Sequence, residues 1–182
     1  MKRPWITFFS QTGSEIANLA IYFKRNPDCI VTNKQDLSNV DYHLNKILKE
    51  DGCKLIQTDI KPDEEIYHDI LSQYKNPLVT LHGYLRVIPK SVCEKYEIYN
   101  LHPGLITKYP ELKGKDPQQR AFDAGYEEVG CVLHKVTPVV DDGEIIASYP
   151  LINPRTTFEH MNARLKSAGI ILWREFLEDY VN

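Results

Sequence analysis

The chain predicts an α/β fold: a mostly parallel sheet flanked by helices, with antiparallel strands toward the C-terminal end. Three observations carry that expectation. Short apolar runs alternate with stretches of helical periodicity, the pattern of successive βαβ units. The alternation then breaks at a long polar loop, beyond which two apolar stretches flank an acidic turn, Asp141-Asp142-Gly143. The length, 182 residues, suits one sizeable core and is short for two, so residues 1–182 are expected to form a single domain.

Taken in order, Trp5 to Phe9 is a compact apolar run closed by Ser10-Gln11-Thr12-Gly13-Ser14, and reads as a buried first strand. Ile16, Leu19, Ala20 and Phe23 recur at helical spacing through Lys24, until Asn26-Pro27 stops the helix. Cys29 to Thr32 is a second strand. Leu44, Ile47 and Leu48 give a weak helix ending near Asp51-Gly52, and Lys54 to Thr58 is a third strand. Pro62-Asp63-Glu64-Glu65 opens the next helix, with Pro in the first turn and acids favoured by the helix dipole. Ile66, Ile70, Leu71 and Tyr74 are its expected buried face. Pro77 to His82 is a fourth strand that closes on Gly83, and Pro89 to Lys95 a short helix.

Leu105 to Gln119 reads as a long polar loop, of the kind that is usually functional or mobile. Ala121, Phe122 and Ala124 suggest a helix ending at Gly125. Gly130 to Val136 and Gly143 to Tyr149 are spaced as an antiparallel pair or a long crossed connection. Phe158, Met161, Leu165, Ala168, Leu172 and Phe176 then mark a long amphipathic helix.

Composition narrows the function classes. Hydrophobic content of 42%, charge of 26% and a net charge of -3 are ordinary for a globular domain and give no electrostatic reason to expect nucleic acid. Cys29, Cys53, Cys93 and Cys131 are scattered without a Cys-x-x-Cys pair, so no zinc ribbon and no metal are expected, and reduced thiols fit the cytoplasm. The apolar run at the start ends too early for a signal peptide, and no run approaches a membrane span. A soluble cytoplasmic protein with small-molecule partners is expected.

The stretch with the most chemistry is Glu97-Ile98-Tyr99-Asn100-Leu101-His102-Pro103-Gly104. Residues two apart on a strand point the same way, so Asn100 and His102 present an amide and an imidazole side by side. Pro103-Gly104 ends the strand, at the kind of sheet end where open α/β sheets bind ligands. With a carboxylate from Asp141-Asp142-Gly143, these groups can serve acyl transfer. Asn before Pro-Gly is also a common turn residue, and Asp-Gly a common hairpin signal, so spacing alone leaves both readings open. The Thr12-Gly13-Ser14 segment lies where helix N-terminal amides bind anions. It lacks a dinucleotide or Walker pattern, and Ser14 as a plain helix cap is the competing reading. Glu15 suits a helix N-terminus but opposes a bound phosphate.

The run Asn100 to Pro110, then Gly130 to Thr137, then Asp141-Asp142-Gly143 resembles the folate-dependent formyltransferases, with the glycinamide ribonucleotide transformylase branch the best match. Ser10 to Ser14 and Leu81-His82-Gly83-Tyr84-Leu85-Arg86-Val87-Ile88 are similar to further family segments, so the resemblance covers nearly the whole chain. It implies a Rossmann-like fold and transfer of a formyl group from 10-formyltetrahydrofolate to a primary amine. It places Asn100, His102 and Asp141 as catalytic and His134 as a support behind them. Tyr84, Leu85, Arg86, Val87 and Ile88, with Val139, Val140 and Asp142, fall on the folate pocket, Arg86 toward the tail carboxylate. Thr12, Gly13, Ser14, Glu15 and Lys166 fall on the acceptor side.

Departures concentrate on that acceptor side. Glu15 stands where the branch has Asn, and Gly169 where it has a ribose-binding Glu. His82 replaces a small residue, and the 108–120 loop is longer, with Lys113-Gly114-Lys115 in place of histidines. Glycinamide ribonucleotide is therefore the default acceptor, and another amine, such as an amino sugar nucleotide or modified nucleotide, the alternative. A hydrolase and a non-catalytic folate binder are less favoured. Either a monomer or a homodimer fits.

Overall fold

The computed structural model describes residues 2–49, 53–153 and 157–181. Strands β1 (Trp5–Phe9), β2 (Cys29–Thr32), β3 (Lys54–Gln57), β4 (Leu78–His82) and β5 (Glu97–His102) alternate with helices α1 (Ser14–Phe23), α2 (Tyr42–Lys49), α3 (Glu64–Leu71) and α4 (Lys90–Lys95). A 3₁₀ turn (Pro110–Leu112) and α5 (Pro117–Asp123) follow, then β6 (Glu128–Lys135), β7 (Ile145–Ile152) and α6 (Phe158–Val181). They build one seven-stranded sheet in the order β3-β2-β1-β4-β5-β6-β7.

Strands β1 to β5 pair in parallel, while β6 is antiparallel to both β5 and β7. The two apolar stretches around the acidic turn are thus an antiparallel pair and not a crossed connection. Strands β1, β2 and β4 are buried at every residue, which explains their unbroken apolar runs: helices cover both faces. One layer packs Phe8, Ile98, Tyr67 and Val92 between the sheet and α3 and α4. Across the sheet, Trp5 and Tyr99 meet Leu19 of α1 and Trp173 and Leu177 of α6. Strand β1 lies between β2 and β4, so the chain reverses direction of travel across the sheet there. The loops after β1 and β4 consequently meet, with Ser10 N–H donating to Gly83 O at 3.2 Å and Leu85 N–H to Ser10 Oγ at 2.9 Å.

Three sequence expectations need correction. Pro62 is not in the first turn of α3, because Asp63 caps that helix by accepting the Ile66 N–H at 3.1 Å. Its buried face includes Tyr67, while Ile66 and Tyr74 are only partly buried. Leu105 to Gln119 is not a featureless loop: Pro110 opens the 3₁₀ turn and Pro117 starts α5, each fixing φ where a helix begins. The expected end of the second helix near Asp51-Gly52 lies outside the described residues.

Candidate active site

Strand β5 delivers the amide and the imidazole. Asn100 pairs in register with His134 of β6, and His102 with Val132, so Asn100, His102 and His134 share one face of the sheet. Leu101 points the other way onto α6, where a Cβ on Gly169 would lie 2.4 Å from Leu101 Cδ2. That contact explains the glycine by packing, and a longer side chain at position 169 has to displace Leu101. His102 is buried. Its Nδ1 lies 3.1 Å from Asp141 Oδ2, and its Nε2 donates to Leu112 O at 2.9 Å. Both ring nitrogens thus face acceptors, the arrangement of a ring donating from each. Gly104 makes this possible, since a Cβ there would fall 2.8 Å from both His102 Nε2 and Pro117 Cβ.

Asp141 arrives on the β6–β7 connection in a left-handed conformation, φ 52°. Gly143 holds the turn tight, because a Cβ would lie 1.7 Å from Lys135 O. The Asp141 carboxylate is 9% exposed and accepts Gly114 N–H at 2.9 Å on the same Oδ2 that faces His102. Its Oδ1 lies 3.4 Å from His134 Nε2. Burial pushes this carboxyl up, but the His102 and His134 side chains, the charge of His102 and the Gly114 amide outweigh it and hold the group well below the usual carboxylate range. His134 donates from Nδ1 to Lys135 O at 3.1 Å, leaving Nε2 between Asn100 Nδ2 at 3.2 Å and Asp141. Asn100, His134, Asp141 and His102 therefore form one continuous polar chain. The cysteines stay outside it: burial pushes the Cys131 thiol up to about 12 and the Cys53 thiol up to about 11, away from ready thiolates.

The expected folate segments divide by face. Tyr84 and Ile88 are buried, and the Tyr84 hydroxyl meets Tyr67 Oη at 2.8 Å. Leu85, Val87 and Val139 are 62%, 66% and 61% exposed, and Val140 is also exposed. Arg86 keeps its Nε buried without a hydrogen-bond partner among the described residues. Asp142 is exposed and ion-paired with Lys113. Among the described residues no group of three or more His, Cys, Asp or Glu side chains is placed to hold a metal ion.

The acceptor-side residues come together only in part. Gly13, at φ 71°, is the N-cap of α1 and Ser14 is its first helical residue, so Ser14 is not the cap. Thr12 Oγ1 donates to Ser14 Oγ at 3.2 Å. Lys166 is exposed on α6 and, among the described residues, makes no hydrogen bond to the Thr12–Glu15 segment. Glu15 turns inward, and its Oε2 accepts His82 Nδ1–H at 2.5 Å and Trp173 Nε1–H at 3.0 Å. The His82 side chain is 0% exposed, with Nε2 2.8 Å from Thr80 Oγ1, which accepts Trp5 Nε1–H at 3.0 Å. Indole can only donate, so Thr80 Oγ1 accepts from Trp5 and uses its remaining capacity on His82, whose Nδ1 faces the Glu15 carboxylate. The departures at positions 15 and 82 are thus two halves of one interaction. The sequence carries one signal of this, a histidine ending a buried strand and so needing a partner. Arg120 and Gly114, which hold the loop over His102 and Asp141, carried no such signal.

The formyl transferase family profile matches residues 6–175. Formyltetrahydrofolate deformylase 2, mitochondrial, of Arabidopsis thaliana is 28% identical over 121 residues, 65% of this chain and 35% of that protein. Phosphoribosylglycinamide formyltransferase of Haemophilus influenzae is 32% identical over 102 residues, 54% of this chain and 46% of that one. The chain therefore spans less than half the length of either relative. The crystal structure of phosphoribosylglycinamide formyltransferase from Anaplasma phagocytophilum superposes with a TM-score of 0.83 at 25% identity, covering 98% of this chain and 86% of the other.

Proposed function

Because the chain belongs to the formyl transferase family, we propose that it transfers a formyl group from 10-formyltetrahydrofolate to a primary amine, with glycinamide ribonucleotide the default acceptor. The observation that carries this reading is the Asn100–His134–Asp141–His102 chain, in which a buried carboxylate is kept ionised between two imidazoles. The amine nitrogen attacks the formyl carbon, and charge develops on the formyl oxygen. Asn100, whose Nδ2 lies 3.2 Å from His134 Nε2, can donate an amide proton to that oxygen, a donor whose loss typically costs about 10²–10³ in rate. His102, held between Asp141 and Leu112 O, fixes an imidazole beside the centre. Asp141 takes the proton the amine must lose, directly or through a water, and the carrier nitrogen regains a proton as its bond to the formyl carbon breaks.

The folate residues fit this role. Leu85, Val87, Val139 and Val140 supply exposed apolar surface for a flat pterin, and the Arg86 Nε without a partner suits a tail carboxylate. Two observations bear on less favoured alternatives in the same site. Glu15 is tied to His82, and a ribose-binding carboxylate at position 169 would have to displace Leu101, which supports a different amine acceptor. The Arabidopsis match supports hydrolysis, with water replacing the amine.

The test follows deformylation of 10-formyltetrahydrofolate by absorbance, with glycinamide ribonucleotide present or omitted. Turnover that depends on this amine is the expected result. Turnover without it identifies the hydrolase, and turnover only with other amines moves the acceptor.

A further inference from the structure

We propose that Arg120 is a positioning residue for the reaction, fixing through the 111–115 backbone both partners of the His102–Asp141 pair. The proposal rests on reading that pair as the reacting one. Arg120, on α5, gathers four carbonyl oxygens: Glu111 at 2.5 Å and Leu112 at 3.0 Å, Lys113 at 2.7 Å and Lys115 at 2.9 Å. Four carbonyl dipoles converging on one point repel one another unless a cation sits there. A planar guanidinium with five donors meets that geometry, whereas an ammonium is a point charge with three.

Two consequences reach the site. Leu112 O, held by Arg120 through one lone pair, accepts His102 Nε2–H at 2.9 Å through the other. Between the tethered carbonyls of Lys113 and Lys115, Gly114 at φ +85° turns its N–H onto Asp141 Oδ2 at 2.9 Å. One side chain that touches neither imidazole nor carboxylate thereby sets an acceptor for the first and a donor for the second. The nearby ion pair of Lys113 with Asp142 is more exposed and holds neither group.

The test uses the full chain with Arg120→Ala and Arg120→Lys, and Gln119→Ala as control, since among the described residues Gln119 bonds only exposed Asp123 on the same helix. The direct readout is NMR of the two His102 ring N–H protons, assigned by their absence in His102→Asn. Wild type is expected to show both protected from exchange. Both Arg120 variants should lose the Nε2–H signal while retaining Nδ1–H, and the control should keep both. Turnover should fall about 10–100-fold in kcat with KM unchanged, the usual size of an effect exerted through a neighbouring group. Methylguanidinium should partly restore the Ala variant but not the Lys variant, whose side chain fills the space. Retention of both N–H signals, or loss of both, in the Lys variant overturns the proposal, and so does a kcat equal to wild type. If wild type turns over no amine, the functional reading fails, while the N–H signals still decide the placement.

Discussion

Replacing Asp141 by Asn isolates the carboxylate's charge from its shape. The residue sits at φ 52°, where Asn is tolerated far better than most side chains, so the turn is kept. The amide oxygen can still accept Gly114 N–H and face His102 Nδ1, now at 2.9 Å and 3.1 Å from Oδ2, with NH₂ turned toward His134. What disappears is the negative charge. Hydrogen bonds to a charged group contribute about 1.5–3 kcal/mol against about 0.5–1.5 for neutral ones, so two such bonds predict a loss near 2 kcal/mol. Loss of the general base predicts a turnover drop of about 10²–10⁴, or roughly 3–5 kcal/mol in barrier. The stability part has a definite pH signature. Because the folded carboxyl is held below its ordinary range, its contribution is complete above the unfolded pKa of about 4 and is lost as pH falls toward the folded value. Urea unfolding at about pH 7 should separate wild type from the variant, and the gap should narrow at about pH 3. A gap independent of pH, or turnover within about tenfold of wild type, would refute the argument.

Other positions give independent tests. Gly143→Ala places a Cβ against the Lys135 carbonyl, which is backbone and cannot swing away; a loss of about 3 kcal/mol in thermal or urea unfolding, with activity abolished, is expected. Glu15→Ala strands the buried donors on His82 and Trp173, at about 1–3 kcal/mol. A double-mutant cycle with His82→Ala should return a coupling of about 0.5–3 kcal/mol, and additive losses would show the contact to be idle. Arg86→Ala should raise KM for the folate about 10–100-fold with kcat kept, if the guanidinium binds carrier and transition state equally.

The sheet was legible because the parallel strands are buried on both faces and read as uninterrupted apolar runs, bounded by residues such as Ser10, Asn26-Pro27 and Gly83. Asn100 and His102 were legible for a related reason: strand periodicity and Pro103 fix both their common face and the strand's end. The contribution of the 108–120 region was not. It acts through carbonyls and one glycine amide, groups every residue type carries, and nothing in Lys113-Gly114-Lys115 announces that Arg120 will gather them. Glu15 misled because a carboxylate at a helix start is adequately explained by the dipole, while its actual partner is 67 residues away and buried.

That inward chain, Trp5–Thr80–His82–Glu15–Trp173, has an optical consequence. The sequence holds two tryptophans, and they are its two ends, both buried. One lies in β1 and donates to β4, and the other lies in α6 and donates to α1. The protein's tryptophan emission thus comes from a single junction, where the central parallel pair is joined by the last helix of the chain. Fluorescence during refolding will follow the closing of β1 on β4 and the docking of α6, the most sequence-distant steps in building the sheet's centre, together with the arrival of β6, whose Leu133 packs in the same cluster as both indoles.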